Sequence, residues 1–121
     1  MDAVADKLLW GVKNGDLDTV KQCVEKNGFN VNLELSNGRD AIHYAADYGQ
    51  SEVLRYLLSK GANVNAPDKH GITAMLAAFW ESHVECVKVL VSKGAAKIGN
   101  SPDGKTYLEC AESEEIKTLL K

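Results

Sequence analysis

The sequence predicts an all-α solenoid of stacked helix pairs with short hairpin-loop tips, and three observations support this fold class. Glycines recur 33 residues apart at Gly38, Gly71 and Gly104, and the segments that follow them align with one another. Apolar residues within each segment recur at helical spacing. Stretches with turn chemistry, such as NAPDKHG and GNSPDG, separate the segments and predict the hairpin tips. One such unit cannot bury its apolar face alone, so stacked neighbours must share one core.

The period divides a single domain, residues 1–121, into four units. They span approximately residues 4–37, 38–70, 71–103 and 104–121, and the first unit carries one extra residue before the second begins. A hydrophobic content of 45% in 121 residues is enough for one soluble domain with its own core. We expect a monomer, because polar residues such as those of ESEEIK should cover the end units.

The first helix of each unit is predicted to begin after a residue whose side-chain oxygen can accept a hydrogen bond from a free N–H of the first turn. These predicted N-caps are Asp6, Asp40, Thr73 and Thr106. Glu109 follows the last of them by three residues, which predicts a capping box. Four alanines of the first helices are predicted to face the core, namely Ala45, Ala46, Ala77 and Ala78.

The second helix of each unit is predicted in segments such as SEVLRYLLSKG and HVECVKVLVSKG. Their apolar residues recur with the period of a helix that buries one face. Gly61 and Gly94 end these segments, at the position where a helix C-terminus favours a left-handed residue. The sequence thus predicts helix–turn–helix units joined by projecting loops.

The charge and hydropathy of the chain disfavour two classes of partner. A net charge of −3 and a pI near 5.6 argue against nucleic acid, since a phosphate-binding face needs clustered lysine and arginine. No apolar run approaches the roughly 20 residues of a membrane span, and the charged N-terminal stretch MDAVADKLLWGVKNGD does not resemble a secretory signal. We therefore expect protein partners.

The cysteines and histidines predict neither a metal site nor a catalytic centre, and no cofactor is expected. The three cysteines have no paired spacing and are expected to be free thiols in a reducing compartment. Cys86 and His83 lie three positions apart, but Cys86 falls on the core-facing register of its helix, so an enzyme is not expected. Cys110 is expected to be more exposed.

The period of 33, the helix openings and closing segments such as GANVN resemble the ankyrin repeat over nearly the whole chain. The phrases HYAAD and NAPDKH are more specific and resemble a small family member that consists of little more than its ankyrin units. That resemblance implies a cytoplasmic protein, with the nucleus as a further location, that binds heterodimeric actin-capping protein and stops it from sealing filament barbed ends. It also implies an alternative, a scaffold or inhibitor role toward Rel-type (NF-kappa-B) transcription factors.

The stretch AAFWESHVE raises the question of whether Trp80 is a core residue or an exposed anchor. Alignment of the units places Trp80 in the slot of Asp47, and Trp10 in the slot of Tyr44, at variable positions that face the concave side in ankyrin architecture. Half-packing of Trp80 against the next unit is the structural alternative. An exposed aromatic strip with a polar rim is typical of a protein-binding patch. The predicted partner-binding residues are Trp10, Tyr44, Asp47, Trp80, Glu81 and His83.

The resemblance also implies that family contact residues correspond to all of these positions except Tyr44. The chain differs from that relative at two positions in this region. Trp80 stands where the relative usually has tyrosine, and Ser82 stands where it has glycine.

Overall fold

The computed structural model describes residues 3–121 and shows four successive helix pairs, which confirms the predicted all-α class. The pairs are α1 (Ala3–Asn14) with α2 (Leu17–Lys21), α3 (Ala41–Asp47) with α4 (Ser51–Ser59), α5 (Ala74–Trp80) with α6 (Val84–Ser92), and α7 (Tyr107–Cys110) with α8 (Glu114–Leu119). A π-helical segment, Gln22–Lys26, extends α2, and a short 3-10 turn, Ser36–Gly38, precedes α3. Within residues 3–121, β-pairing is limited to one bridge between Asn100 and Thr106.

The helices form two layers. The first helices of successive pairs pack in the order α1, α3, α5 and α7, while the second helices pack in the order α2, α4, α6 and α8. One continuous apolar core runs between the layers. The four alanines predicted to face it are buried, and their small side chains let neighbouring first helices approach closely. None of the helices in the described part of the chain is long and apolar enough to cross a membrane.

Two of the predicted N-caps make the expected side-chain hydrogen bonds. Thr73 Oγ1 accepts from the Leu76 amide at 3.3 Å. Thr106 Oγ1 accepts from the Glu109 amide at 3.1 Å, while Glu109 Oε1 accepts from the Thr106 amide at 2.9 Å. The predicted capping box is therefore confirmed. Asp40 also occupies an N-cap position, where its own amide is paired with a side chain of the first turn.

The prediction for Asp6 is wrong. Asp6 lies in the first turn of α1, which already begins at Ala3, rather than before it. Alanine has the highest intrinsic helix propensity, and Ala3 and Ala5 extend the helix upstream of the repeat boundary. Asp6 still contributes a favourable negative charge near the positive end of the helix dipole.

His43 joins the start of α3 to the following hairpin loop. Its Nδ1 accepts from the Asp40 amide at 2.9 Å, so Nε2 carries the proton and donates to the Ala66 carbonyl at 2.8 Å. The ring is fully buried, and both of its nitrogens are satisfied. His43 is thus a structural residue of the second unit.

A polar contact between consecutive units recurs at the start of the second helices. Gln50 Nε2 donates to the Lys13 carbonyl at 2.9 Å. One unit later, His83 Nε2 donates to the Asp47 carbonyl at 3.1 Å. The two donors occupy the same repeat slot, as do the two acceptors. These bonds tie the second unit to the first and the third unit to the second.

Candidate protein-binding groove

A shallow groove of about 300 Å³ opens between the first helices and the hairpin loop that precedes α5. Asp47 at the end of α3, Ala77 and Trp80 on α5, and Asp68 and His70 on the hairpin loop line its walls. We refer to it as the Trp80 groove. The repeat slot that the sequence singled out contributes two residues to this groove, Asp47 from the second unit and Trp80 from the third.

Trp80 is the last residue of α5, and its side chain is 48% exposed. The preceding residue, Phe79, is fully buried and meets the Tyr107 ring edge-on, with the ring centroids 5.4 Å apart. Successive helical residues point about 100° apart, so burial of Phe79 turns Trp80 toward the groove. Trp80 is therefore a half-exposed aromatic residue on a well-anchored helix.

The turn after Trp80 places Glu81 and Ser82 on the surface. Ser82 has a φ of 55°, in the left-handed region that glycine adopts more readily, and Gly49 at the equivalent slot has a φ of 72°. The backbone therefore keeps the same turn although the residue differs. Glu81 is exposed and follows Trp80 in the chain, but it does not line the Trp80 groove.

Arg39 sets the electrostatics of the groove. Its guanidinium lies 3.3 Å from Asp47 Oδ2 through Nη1 and 3.6 Å from Asp68 Oδ2 through Nε. Asp68 is nearly enclosed, with a side chain that is 2% exposed, and its Oδ1 accepts the amides of His70 and Ile72. One cation thus neutralises one of the two carboxylate charges, and the three side chains together keep a charge of −1.

The prediction that Tyr44 is an exposed anchor is wrong. Its side chain is only 4% exposed, because the Ser36–Gly38 turn folds over it. The Tyr44 hydroxyl lies 2.8 Å from Ser36 Oγ and donates to the Ser36 carbonyl at 2.8 Å. The Arg39 guanidinium covers the ring at 4.8 Å from its centroid. The expected strip of Trp10 and Tyr44 is consequently not present on the surface.

Tyr48 is an exposed aromatic residue that the sequence analysis did not select. Lys13 Nζ lies 5.7 Å from the centroid of the Tyr48 ring and 5.2 Å from that of Tyr44, within the range of cation–π interaction. The signal that could have found it was its repeat slot, which it shares with Glu81.

The remaining predicted residues occupy separate places. Trp10 is exposed on α1, which α3 separates from α5, and it does not line the Trp80 groove. His83 is half-buried, and its ring is bonded to the Asp47 backbone and packed against Gly49. The structure therefore brings Asp47 and Trp80 together in the groove, with Glu81 and His83 next to them.

The cysteine thiols are buried. Burial raises the pKa of the Cys86 thiol to about 11 and also raises that of Cys23 above its usual value. The expectation that Cys110 is more exposed is wrong: it is only 7% exposed, on helix α7, which packs against α5. Within residues 3–121, no group of three or more histidine, cysteine, aspartate or glutamate side chains is arranged to hold a metal ion.

Comparison with known proteins identifies the family. A family model described as ankyrin repeats in three copies matches residues 8–101. Myotrophin from Gallus gallus is 55% identical over 119 residues, which cover 98% of this chain and 100% of that protein. Myotrophin from Xenopus tropicalis is 54% identical over 114 residues, covering 94% of this chain and 96% of that protein.

The chain belongs to the myotrophin family of ankyrin-repeat proteins. The predicted resemblance is thereby confirmed. M-phase phosphoprotein 8 from Homo sapiens is also similar, at 42% identity over 79 residues, but the match covers only 9% of that longer protein. The two myotrophins named above, in contrast, are matched over nearly their whole length. Ankyrin repeats are protein-interaction modules. The Trp80 groove therefore belongs to a protein whose family binds protein partners.

Proposed function

We propose that this myotrophin-family protein binds heterodimeric actin-capping protein through the Trp80 groove and prevents it from sealing filament barbed ends. The half-exposed indole of Trp80, held on a buried helix, is the observation that carries the proposal. Full-length similarity to myotrophin supports it, because the sequence resemblance implies this partner and maps its contacts onto the positions of Trp80, Asp47 and Glu81.

Binding would remove the Trp80 ring from water and fill the groove. Tryptophan is enriched among residues whose loss costs 2 kcal/mol or more at interfaces. The Arg39, Asp47 and Asp68 trio leaves the groove mildly acidic, and exposed Glu81 adds a further negative charge. A basic region of the partner would therefore be steered toward it, which chiefly affects the association rate.

The mechanism is a depletion of active capping protein. Each capping-protein molecule held by the groove is withdrawn from the pool that binds barbed ends, so filament elongation persists in proportion to the bound fraction. We propose that this takes place in the cytoplasm, where filaments elongate, and that the ankyrin protein acts as a monomer. An association with Rel-type transcription factors stays a prediction.

Trp80→Ala tests the proposal in a barbed-end elongation assay with purified actin and capping protein. Loss of about 2 kcal/mol should weaken binding roughly 30-fold, so capping should persist at concentrations where the wild type relieves it. Leu33→Ala removes a similarly exposed apolar side chain outside the groove and should act like the wild type. Circular dichroism and thermal unfolding establish that both variants fold. Equal anti-capping activity of Trp80→Ala and wild type would refute the groove assignment.

A further inference from the structure

The C-terminal end of the array carries an apolar pocket of about 230 Å³ that lies apart from the Trp80 groove. We refer to it as the C-terminal pocket. Its walls come from the loop at residues 97–100, from α7 and from the residues after α8. Its lining includes the side chains of Lys97, Ile98, Tyr107, Leu108, Leu120 and Lys121.

Leu108 occupies the slot through which each earlier unit stacks on its neighbour. The equivalent residues of the first three units are Leu8, Ile42 and Met75, and all of them are essentially fully buried. Leu108 is 47% exposed. The stacking surface of the array is therefore presented to solvent at this end.

Ile98 occupies a slot where earlier units use asparagine to join their loops. Asn32 Oδ1 accepts the Asn63 amide at 2.8 Å, and Asn65 Oδ1 accepts the Ala96 amide at 2.9 Å. Ile98 replaces this polar side chain with an apolar one that is 90% exposed. Solenoid ends usually carry polar capping surfaces, which makes an exposed isoleucine here unusual.

Tyr107 holds the floor of the pocket rigid. Its ring packs so closely on Gly99 that a Cβ there would lie 2.7 Å from Cζ, and its amide donates to the Gly99 carbonyl at 2.9 Å. Its hydroxyl lies 3.1 Å from Thr73 Oγ1, and its ring meets buried Phe79 edge-on. The pocket is therefore anchored to the preceding unit, and it needs little reorganisation to accept a ligand.

Charge and size define the ligand. The two charged side chains that line the pocket are both lysines, Lys97 and Lys121, although the chain as a whole carries a net charge of −3. The α-carboxylate of Lys121 offsets one of the two ammonium charges, so the pocket rim stays net positive. A volume of about 230 Å³ is smaller than the pockets that hold cofactors or drug-sized molecules, roughly 300–1,000 Å³, and suits one or two large side chains.

We propose that the C-terminal pocket binds an acidic peptide segment of a protein partner, with one large apolar side chain seated between Ile98 and Leu108 and flanking carboxylates near Lys97 and Lys121. The apolar contact supplies affinity, and the lysines select against basic segments. This surface is separate from the Trp80 groove, so the two can be occupied independently.

A pair of synthetic peptides, blocked at both ends, tests the proposal. Each carries a central phenylalanine, flanked by glutamates in one peptide and by lysines in the other. Methyl NMR of the full chain should show the glutamate peptide shifting the Ile98 and Leu108 methyl signals in a saturable manner. The lysine peptide should bind about ten-fold more weakly, because two attractive charge pairs become repulsive.

Ile98→Asn restores the side chain that the equivalent slots carry and should weaken the glutamate peptide at least about five-fold without unfolding the protein, since Ile98 is exposed. Leu33→Ala serves as a matched exposed-residue control and should bind like the wild type. Equal binding of the two peptides, or unshifted Ile98 and Leu108 methyl signals, would overturn the proposal. So would Ile98-dependent binding to vesicles containing phosphatidylserine without binding to the peptide, which would assign the pocket to a lipid headgroup.

Discussion

Arg39 illustrates how a single residue shapes the groove. It contacts Asp47 at the surface, Asp68 in the interior and the face of Tyr44. Its position before the helix gives no indication of this role, since its partners come both from α3 and from the hairpin loop that follows α4. The repeat period could predict that Asp47 is near Trp80, but it could not predict that Asp47 is already paired within the protein.

Replacing Arg39 tests which of its two carboxylate contacts matters for folding. Arg39→Met leaves nearly enclosed Asp68 without its cation, and we expect the free energy of unfolding to fall by about 3 kcal/mol. Asp47→Asn removes only the more exposed contact and should cost less than about 1 kcal/mol. Urea denaturation followed by circular dichroism measures both. Similar losses for the two variants would show that burial of Asp68 does not determine the effect.

At the scale of single helices, the sequence predicts the features that depend only on residues close by in the chain. The caps at Thr73 and Thr106 and the left-handed glycines, Gly61 at a φ of 95° and Gly94 at 88°, follow from chemistry within one helix and are confirmed. The burial of Tyr44 could not be predicted in this way, because it depends on the Ser36–Gly38 turn that folds over the ring. Repeat alignment gives the slot of a residue, whereas the neighbouring loop decides its exposure.

The buried Cys86 thiol on helix α6 should make the free energy of unfolding depend on pH in the alkaline range. The Cys86 thiol has an ordinary pKa near 9 when the chain is unfolded, and burial raises it to about 11 in the fold. Between these values the unfolded chain binds fewer protons than the folded one, so stability falls as pH rises. We expect a loss of about 1–2 kcal/mol between pH 8 and pH 10, measured by urea denaturation across that range.

Cys86→Ala is the matched variant for this pH dependence. It removes the titrating thiol with a modest change in volume, and its stability should change less over the same interval. Comparing the two slopes isolates the thiol from the lysines and tyrosines, which titrate at higher pH. Parallel slopes for the wild type and the variant would contradict a role for the Cys86 thiol.

Across the whole molecule, the stacked units form a surface with distinct regions, although each unit is short. The Trp80 groove lies where α3, α5 and a hairpin loop meet, Trp10 lies on α1, and the C-terminal pocket lies at the far end. The same repeat slot is buried in one unit and exposed in another, as Met75 and Leu108 show. Position along the array therefore decides the exposure of a residue as much as residue type does.

Trp10 and Trp80 test whether the whole array acts as one rigid binding surface. Helices α1 and α5 are separated by α3, and helix spacings of 8–10 Å place their axes roughly 16–20 Å apart. Substitutions that far apart, with no shared partner, have additive effects within about 0.5 kcal/mol. If capping protein spans both tryptophans on a rigid array, the binding losses of Trp10→Ala and Trp80→Ala should sum to that of the double variant in a fluorescence titration. If the double variant binds capping protein no more weakly than Trp80→Ala does, the interface is confined to the Trp80 groove. A loss of binding free energy well beyond the sum would show that the array does not hold the two sites independently.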